Sequence, residues 1–329
     1  MKRTLISINC FAAVTLAFLT LSSAAQAGQV FIDDDIKIYD YTAANTETTV
    51  STQPGSVVMG MAFSYAGVTP VLFVAAKASN EIYSYSLSSP GTQVGFESVT
   101  APIGLAIDQN GNVYTGASSG HQLEEYASSG GAGTSLETKN PNSTKTLSVD
   151  SLTVDSAGDL FEADGSGNVN ELTANQNTWE TIATLTGSNF DGIALDSSGD
   201  IFVGFSSASV GGGGGIYEIS SGGAVSTFYT ATTVLPSGLA YDPITRDLYM
   251  AYNDADNSGE GGVDVFTSSG GALVSTSEAT FATDGVPLDE PDAIAVLTPE
   301  PGTLFLSGLG LAISIIYLRR KNLAVIRQS

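Results

Sequence analysis

Apolar residues along the middle of the chain cluster in short runs, and the runs fall into three recurring words. The first reads GMAFS from Gly60, GLAID from Gly104, SLTVD from Ser151, GIALD from Gly192, GLAYD from Gly238 and, degenerately, AIAVL from Ala293. The second follows most of these after a short Asp/Asn/Gly stretch: VLFVA from Val71, NVYTG from Asn112, DLFEA from Asp159, DIFVG from Asp200 and DLYMA from Asp247, with a sixth copy, QVFID from Gln29, that no first word precedes. The third alternates apolar and polar positions: IKIYDY from Ile36, EIYSYS from Glu81, QLEEYA from Gln122, NVNELT from Asn168, GIYEIS from Gly215 and GVDVFT from Gly262.

Period-two alternation in β-branched and aromatic runs, broken by DQNGN, DSAGD or DSSGD, predicts antiparallel strands joined by tight turns. WETIATL from Trp179 and VSTFYT from Val225 supply candidates for a fourth, outer strand. First words start 41 to 55 residues apart, which suits a propeller blade and exceeds most leucine-rich or ankyrin periods. Four strands in each of six repeats predict an all-β, six-bladed β-propeller. The two ends complement each other: the chain opens on second and third words without a first, and closes on a first word, Ala293 to Leu297, without the others. Pairing of these ends would complete one shared blade and leave no open ladder, a complementarity that an open solenoid, the structural alternative, does not need.

The termini read differently from the middle. Lys2 and Arg3, an apolar stretch from Leu5 to Leu21 and Ala25-Gln26-Ala27 have the order of a secretory signal peptide, predicting export and cleavage by signal peptidase at Ala25 to Ala27. Near the other end, Pro299-Glu300-Pro301 precedes the apolar segment Thr303 to Leu318, and Arg319-Arg320-Lys321 follow it. That segment is just short of the roughly 17 to 25 residues of a spanning helix, and the basic triplet would hold its end on the cytoplasmic side.

Six of the eleven basic residues lie in these termini, whereas all but one of the 34 acidic residues, Glu300, lie in the body of a chain of net charge -23. So acidic a surface repels nucleic acid and excludes a nucleic-acid partner. The single cysteine, Cys10, lies in the signal region, so the mature chain has no disulfide and depends on its core.

Candidates for chemistry are sparse. Asp108, Asp155, Asp196 and Asp242 end first words, and a repeated Asp before a Gly-containing turn is expected to fix that turn by accepting backbone N–H groups. His121, the only histidine, stands in a loop with no nucleophile elbow to serve. For a metal such as Ca2+ the candidates are Asp254 and Asp256 in NDADNSGEGG, which lacks an acidic residue at the twelfth position, and Asp33 in Asp33-Asp34-Asp35. Both stretches read more simply as polar loops between strands, and no cofactor is otherwise indicated. Glu162 and Asp33 are the acidic residues that second strands would bring nearest to a central channel, and the run Gly211 to Gly215 reads as a hairpin loop.

PIGLAIDQNGNVYTGASSGHQLEEYASSGG, from Pro102 to Gly131, resembles a blade of the NHL-repeat propellers, and the other copies resemble it through their first two strands. That group includes binding platforms and enzymes, so the resemblance implies fold and not activity. Six-bladed gluconolactonase-like enzymes imply the rival reading, a metal-dependent lactonase or other hydrolase using the channel. The triplet, apolar segment and basic cluster at 299–322 resemble the PEP-CTERM sorting signal of Gram-negative bacteria, which implies recognition by an exosortase, membrane contact through 303–318 before cleavage, and delivery to the cell surface or exopolysaccharide matrix. The expected organisation is a signal peptide at 1–27, a propeller at 28–298, the sorting signal at 299–322 and a cytoplasmic tail at 323–329. The expected function is a surface or biofilm-matrix module, binding or structural rather than enzymatic, with a polysaccharide or surface-protein ligand.

Overall fold

The computed structural model describes residues 29–298 except 35–36, 42–46, 53–56, 68, 88–92, 118–121, 137–148, 175–178, 188, 207–211, 255–259, 278, 282–287 and 290. Contacts divide the chain into Gly28–Leu297 and a second unit of the two terminal stretches, Met1–Ala27 and Thr298–Ser329. The expected signal peptide, sorting helix and tail lie outside the described residues. Among the described residues, no helix is long and apolar enough to cross a membrane.

The strands of Gly28–Leu297 form six antiparallel blades, each beginning with a first word at the channel. Blade 2 runs Val58–Ser64, Val71–Ala76, Glu81–Ser86, Gln93–Glu97, and blade 3 runs Pro102–Ile107, Val113–Ala117, Gln122–Tyr126, Thr134–Ser135. Blade 4 comprises Val149–Val154, Leu160–Asp164, Asn168–Leu172 and Trp179–Thr184; blade 5 comprises Ile193–Leu195, Ile201–Ser206, Gly214–Ile219 and Val225–Thr230. In blade 6, Val234–Asp242, Asp247–Asp254 and Glu260–Phe266 are edged by Ala279–Thr280 and Leu288–Asp289. Blade 1 is the shared one: Ile294–Leu297 is its inner strand, followed by Gln29–Asp34, Lys37–Tyr41 and Glu47–Thr52.

Six apolar clusters fill the six gaps between blades. They centre on Phe31, Phe63 and Leu72 between blades 1 and 2, and on Phe73, Ile82 and Val113 between 2 and 3. Leu123, Leu160 and Trp179 fill the gap between 3 and 4, and Phe161, Phe190 and Val203 that between 4 and 5. Phe202, Met250 and Phe266 join 5 to 6, and Ile32, Tyr41 and Val263 join 6 to 1. A blade's second strand is therefore covered on both faces, which explains runs as continuously apolar as VLFVAA, whereas the outer strand VSTFYT stays largely exposed.

Turn chemistry follows the repeated Asp. Asp155 Oδ1 accepts the N–H groups of Ala157 and Asp159, both at 2.8 Å, and Asp196 Oδ1 those of Ser198 and Asp200 at 2.7 and 2.9 Å. Asp108 Oδ1 does the same for Asn110 and Asn112, and Asp242 Oδ1 takes Ile244 N–H at 2.8 Å. These carboxylates are turn acceptors, as their repetition predicts.

The glycine that opens most first words has a steric cause. A Cβ on Gly60 would meet the backbone of Gly104 and Leu105 at 2.9 Å, and one on Gly192 the backbone N of Leu239 at 2.7 Å. At these two places neighbouring inner strands approach too closely for a side chain.

Two sequence expectations need correction. The Asp33 to Asp35 stretch is not simply a loop, because Asp33 and Asp34 complete the strand Gln29–Asp34 and Asp33 is fully buried. Likewise, Gly214 and Gly215 belong to a strand, where Pro236 and the Phe205 ring stand where their side chains would go.

Ring closure rests on Asp33. Its Oδ1 accepts N–H from Asp292 at 3.0 Å and from Ala293, and its own N–H donates to the Ala293 carbonyl at 3.2 Å. Four residue pairs, from Gln29 with Leu297 to Ile32 with Ile294, extend the seal. Ala293, Ala295 and Ile294 also enter the clusters on either side of blade 1, so the last strand supports two of the six gaps.

Candidate functional site

All six inner strands meet around a channel whose two mouths differ. One mouth, about 220 Å³, is lined by apolar residues such as Phe63, Ile107, Val154, Leu195 and Val296, with Thr153 and Tyr241 the polar exceptions among its described residues. The other, about 250 Å³, lies where the inner strands begin and gathers Ser151, Asn189, Asp191, Ser206, Ser237, Asn253 and Asp292. Met59, Met61 and Leu105 from blades 2 and 3 also line it, so a stretch without polar side chains faces one where polar residues alternate with Ile193, Leu235 and Leu239. No Lys, Arg or His is among the described residues lining either mouth.

Backbone irregularity builds the polar mouth. Inner strands of blades 2, 3, 4 and 6 each shift register on entering the sheet, between Val58 and Gly60, Ile103 and Leu105, Val149 and Ser151, and Pro236 and Gly238. Such bulges re-aim one residue out of the ladder, here toward the axis, as with Met59, Gly104 and Ser237. Ser237 donates to the Pro291 carbonyl, which ties the entry of blade 6 to the approach of the closing strand.

Ser151 stands where four other first words have glycine. Its side chain is 7 % exposed, and no hydrogen-bond partner reaches its Oγ among the described residues. Asn253, near the end of the second strand of blade 6, likewise holds a buried Oδ1 without a partner at this mouth. A buried acceptor in that state carries a desolvation cost of about 1–3 kcal/mol until a donor arrives.

The residues singled out from sequence do not converge here. Asp33 and Glu162 are fully buried on second strands and line neither mouth: Asp33 faces the closing strand, and Glu162 accepts from Asn170 Nδ2 at 3.5 Å. Asp254 ends the second strand of blade 6 opposite Val234, while Asp256 and His121 lie outside the described residues. So do Ala25, Ala27, Pro299, Glu300, Pro301, Arg319, Arg320 and Lys321. Among the described residues, no group of three or more His, Cys, Asp or Glu side chains is placed to hold a metal ion. Ser151, Asn253 and Asp191 belong to no functional motif of the sequence, and only the departure from glycine at Ser151 marks one of them.

Around the opposite, turn-bearing face, carboxylates crowd one another. Glu171 is raised above the usual carboxylate range by burial and by Asp159, Asp155 and Glu180, and Glu218 by burial and by Asp200 and Asp196. On the third strand of blade 1, burial pushes Asp40 up to about 6, although Gln29 Nε2 donates to its Oδ2 at 3.2 Å.

Comparison with known proteins agrees with this architecture. Residues 297–321 match the PEP-CTERM protein-sorting motif, and residues 91–124 match a β-propeller repeat. No curated protein matches the whole sequence significantly. Among solved structures, the fold is similar to a chain of a nidogen/laminin complex, with TM-score 0.64 and 16 % identity over 82 % of this chain and 98 % of that one. It is also similar to TolB from Acinetobacter baumannii (0.61, 13 %, covering 86 % and 69 %) and to virginiamycin B lyase from Staphylococcus aureus (0.54, 15 %, covering 83 % and 89 %). Likeness at 13–16 % identity both to a chain of a nidogen/laminin complex and to a lyase establishes the fold and leaves activity open. The sorting motif begins at Leu297, the last residue of the strand that closes the ring.

Proposed function

We propose that this chain, an exported protein with a PEP-CTERM sorting motif behind a six-bladed propeller, is a binding module of the cell surface or extracellular matrix that engages polysaccharide through its polar channel mouth. The observation that carries this reading is the junction at Leu297: the propeller is complete where the sorting motif starts, so the ring is the part left to act after sorting. The mouth supports it chemically. Hydroxyl, amide and carboxylate groups from inner strands, second strands and the loops that enter them converge there beside Met59, Met61 and Leu105.

Processing is by an exosortase acting near Pro299-Glu300-Pro301, and the protein's destination is outside the membrane. Affinity capture of the exported protein on polysaccharide from the producing cells tests the binding. Salt-resistant retention is expected, and passage of the protein through every polysaccharide fraction would reject the reading. Deleting Pro299 to Pro301 tests the sorting: the protein should accumulate with membranes instead of outside the cell.

A further inference from the structure

We infer that the polar mouth selects a neutral, hydroxyl-rich ligand about one sugar ring in size, with Ser151 and Asn253 as its anchoring residues. The inference rests on the reading of the mouth as a polysaccharide site and specifies what it takes. Three observations converge on that class. The unmet groups define the hydrogen-bonding partner: Asn253 Oδ1 only accepts, and Ser151 Oγ both donates and accepts, so the ligand must bring donors, and hydroxyls satisfy both. Asp191 and Asp292 line the same mouth, and carboxylates there disfavour a uronate, sulfate or phosphate relative to a neutral ligand. The volume of about 250 Å³ lies under the roughly 300–1,000 Å³ of pockets for drug-sized ligands and suits a terminal or branch residue better than a threaded chain.

Shape agrees with chemistry. A sugar ring has an apolar C–H patch and a hydroxyl edge, and the mouth opposes Met59, Met61 and Leu105 to Asn189, Asn253 and Asp191. Ser151 and Ala293 are the two places where the repeat departs from its opening glycine, and Ser151 alone brings a polar side chain. Glycine opens the first words of blades 2, 3, 5 and 6, whereas blade 4 presents a hydroxyl that the fold itself leaves unbonded. A side chain that costs desolvation and repays nothing in the folded ring is accounted for when a ligand supplies the bond.

Calorimetric or NMR titration of the exported full-length product, with methyl glucoside, methyl galactoside and methyl glucuronide as separate probes, tests this. At least one neutral glycoside should saturate, with glucuronide at least tenfold weaker. Ser151→Gly, which restores the residue found in the neighbouring blades, should weaken the neutral glycoside about tenfold while the ligand-free protein melts no lower than wild type. Asn253→Ser provides a second variant with the same expected loss, should Ser151→Gly alter folding. Polysaccharide retention with both variants as strong as wild type would overturn the site while leaving the binding function intact. Preference for glucuronide would overturn the ligand class, and failure to bind any polysaccharide would remove the function on which both rest.

Discussion

On one face of the ring, inner strands end at Asp108, Asp155, Asp196 and Asp242, and each carboxylate closes its own turn onto backbone N–H groups. On the other face the first words start at Gly60, Gly104, Ser151, Gly192, Gly238 and Ala293, and the residues beside them change from Met59 to Asp191 to Ser237 to Asp292. The turn face repeats because every blade must solve the same problem of reversing direction. At the mouth, only the close approach of the strands is common to the blades. Beyond that constraint each blade contributes something different, and a ligand can be recognised only by what differs. The same residue type shows the contrast: Asp196 bonds within four residues of itself, whereas Asp33 bonds to a backbone 259 positions away.

The largest effect should come from Asp33. Replacing it by alanine removes a charged acceptor from the amides of Asp292 and Ala293, at about 3 kcal/mol for charge-assisted bonds, and frees the closing strand. Urea denaturation should show that loss, together with faster proteolysis near Leu297; Asp33→Asn, which keeps an acceptor, should lose less. An Asp33→Ala protein as stable as wild type would mean that the last strand does not seal the ring. Next is Gly192→Ala, where positive φ (83°) and the Leu239 backbone leave no room, with about 1–3 kcal/mol lost in the same assay.

Turn-face substitutions should be smaller and alike. Asp108→Ala, Asp155→Ala and Asp196→Ala should each cost about 1 kcal/mol by thermal denaturation, and a wide spread among them would break the equivalence claimed for that face. The smallest effect concerns pH. Asp40 has its pKa raised in the folded state, so the folded chain holds that proton more tightly than the unfolded one, and stability falls as pH rises from about 4 to about 6. Asp40→Asn should therefore flatten that part of the stability profile and leave the acidic end unchanged.

The blades, their strand order and the closure by complementary ends were legible because each rests on a pattern repeated along the chain. Turn aspartates were legible for the same reason, since acceptor and glycine recur at fixed spacing. QVFID places Asp33 at the end of a strand, whereas the acidic run that follows resembles solvent-exposed loop, and the burial of Asp33 depends on amides at the far end of the chain. Ser151 opens its first word without the glycine of four others, and Asn253 and Asp191 belong to no word. A binding group needs no periodic partner, so hydrophobic periodicity carries no trace of it.

Hydrogen exchange of the exported protein, with and without matrix polysaccharide, compares the two faces directly. Added protection is expected around Met59 to Met61, Ser151 to Leu152, Asn189 to Ile193 and Leu235 to Leu239, with none at the turns 108–112, 155–159 and 196–200. Protection confined to those turns, or absent from both faces, would contradict the assignment of the mouth as the site.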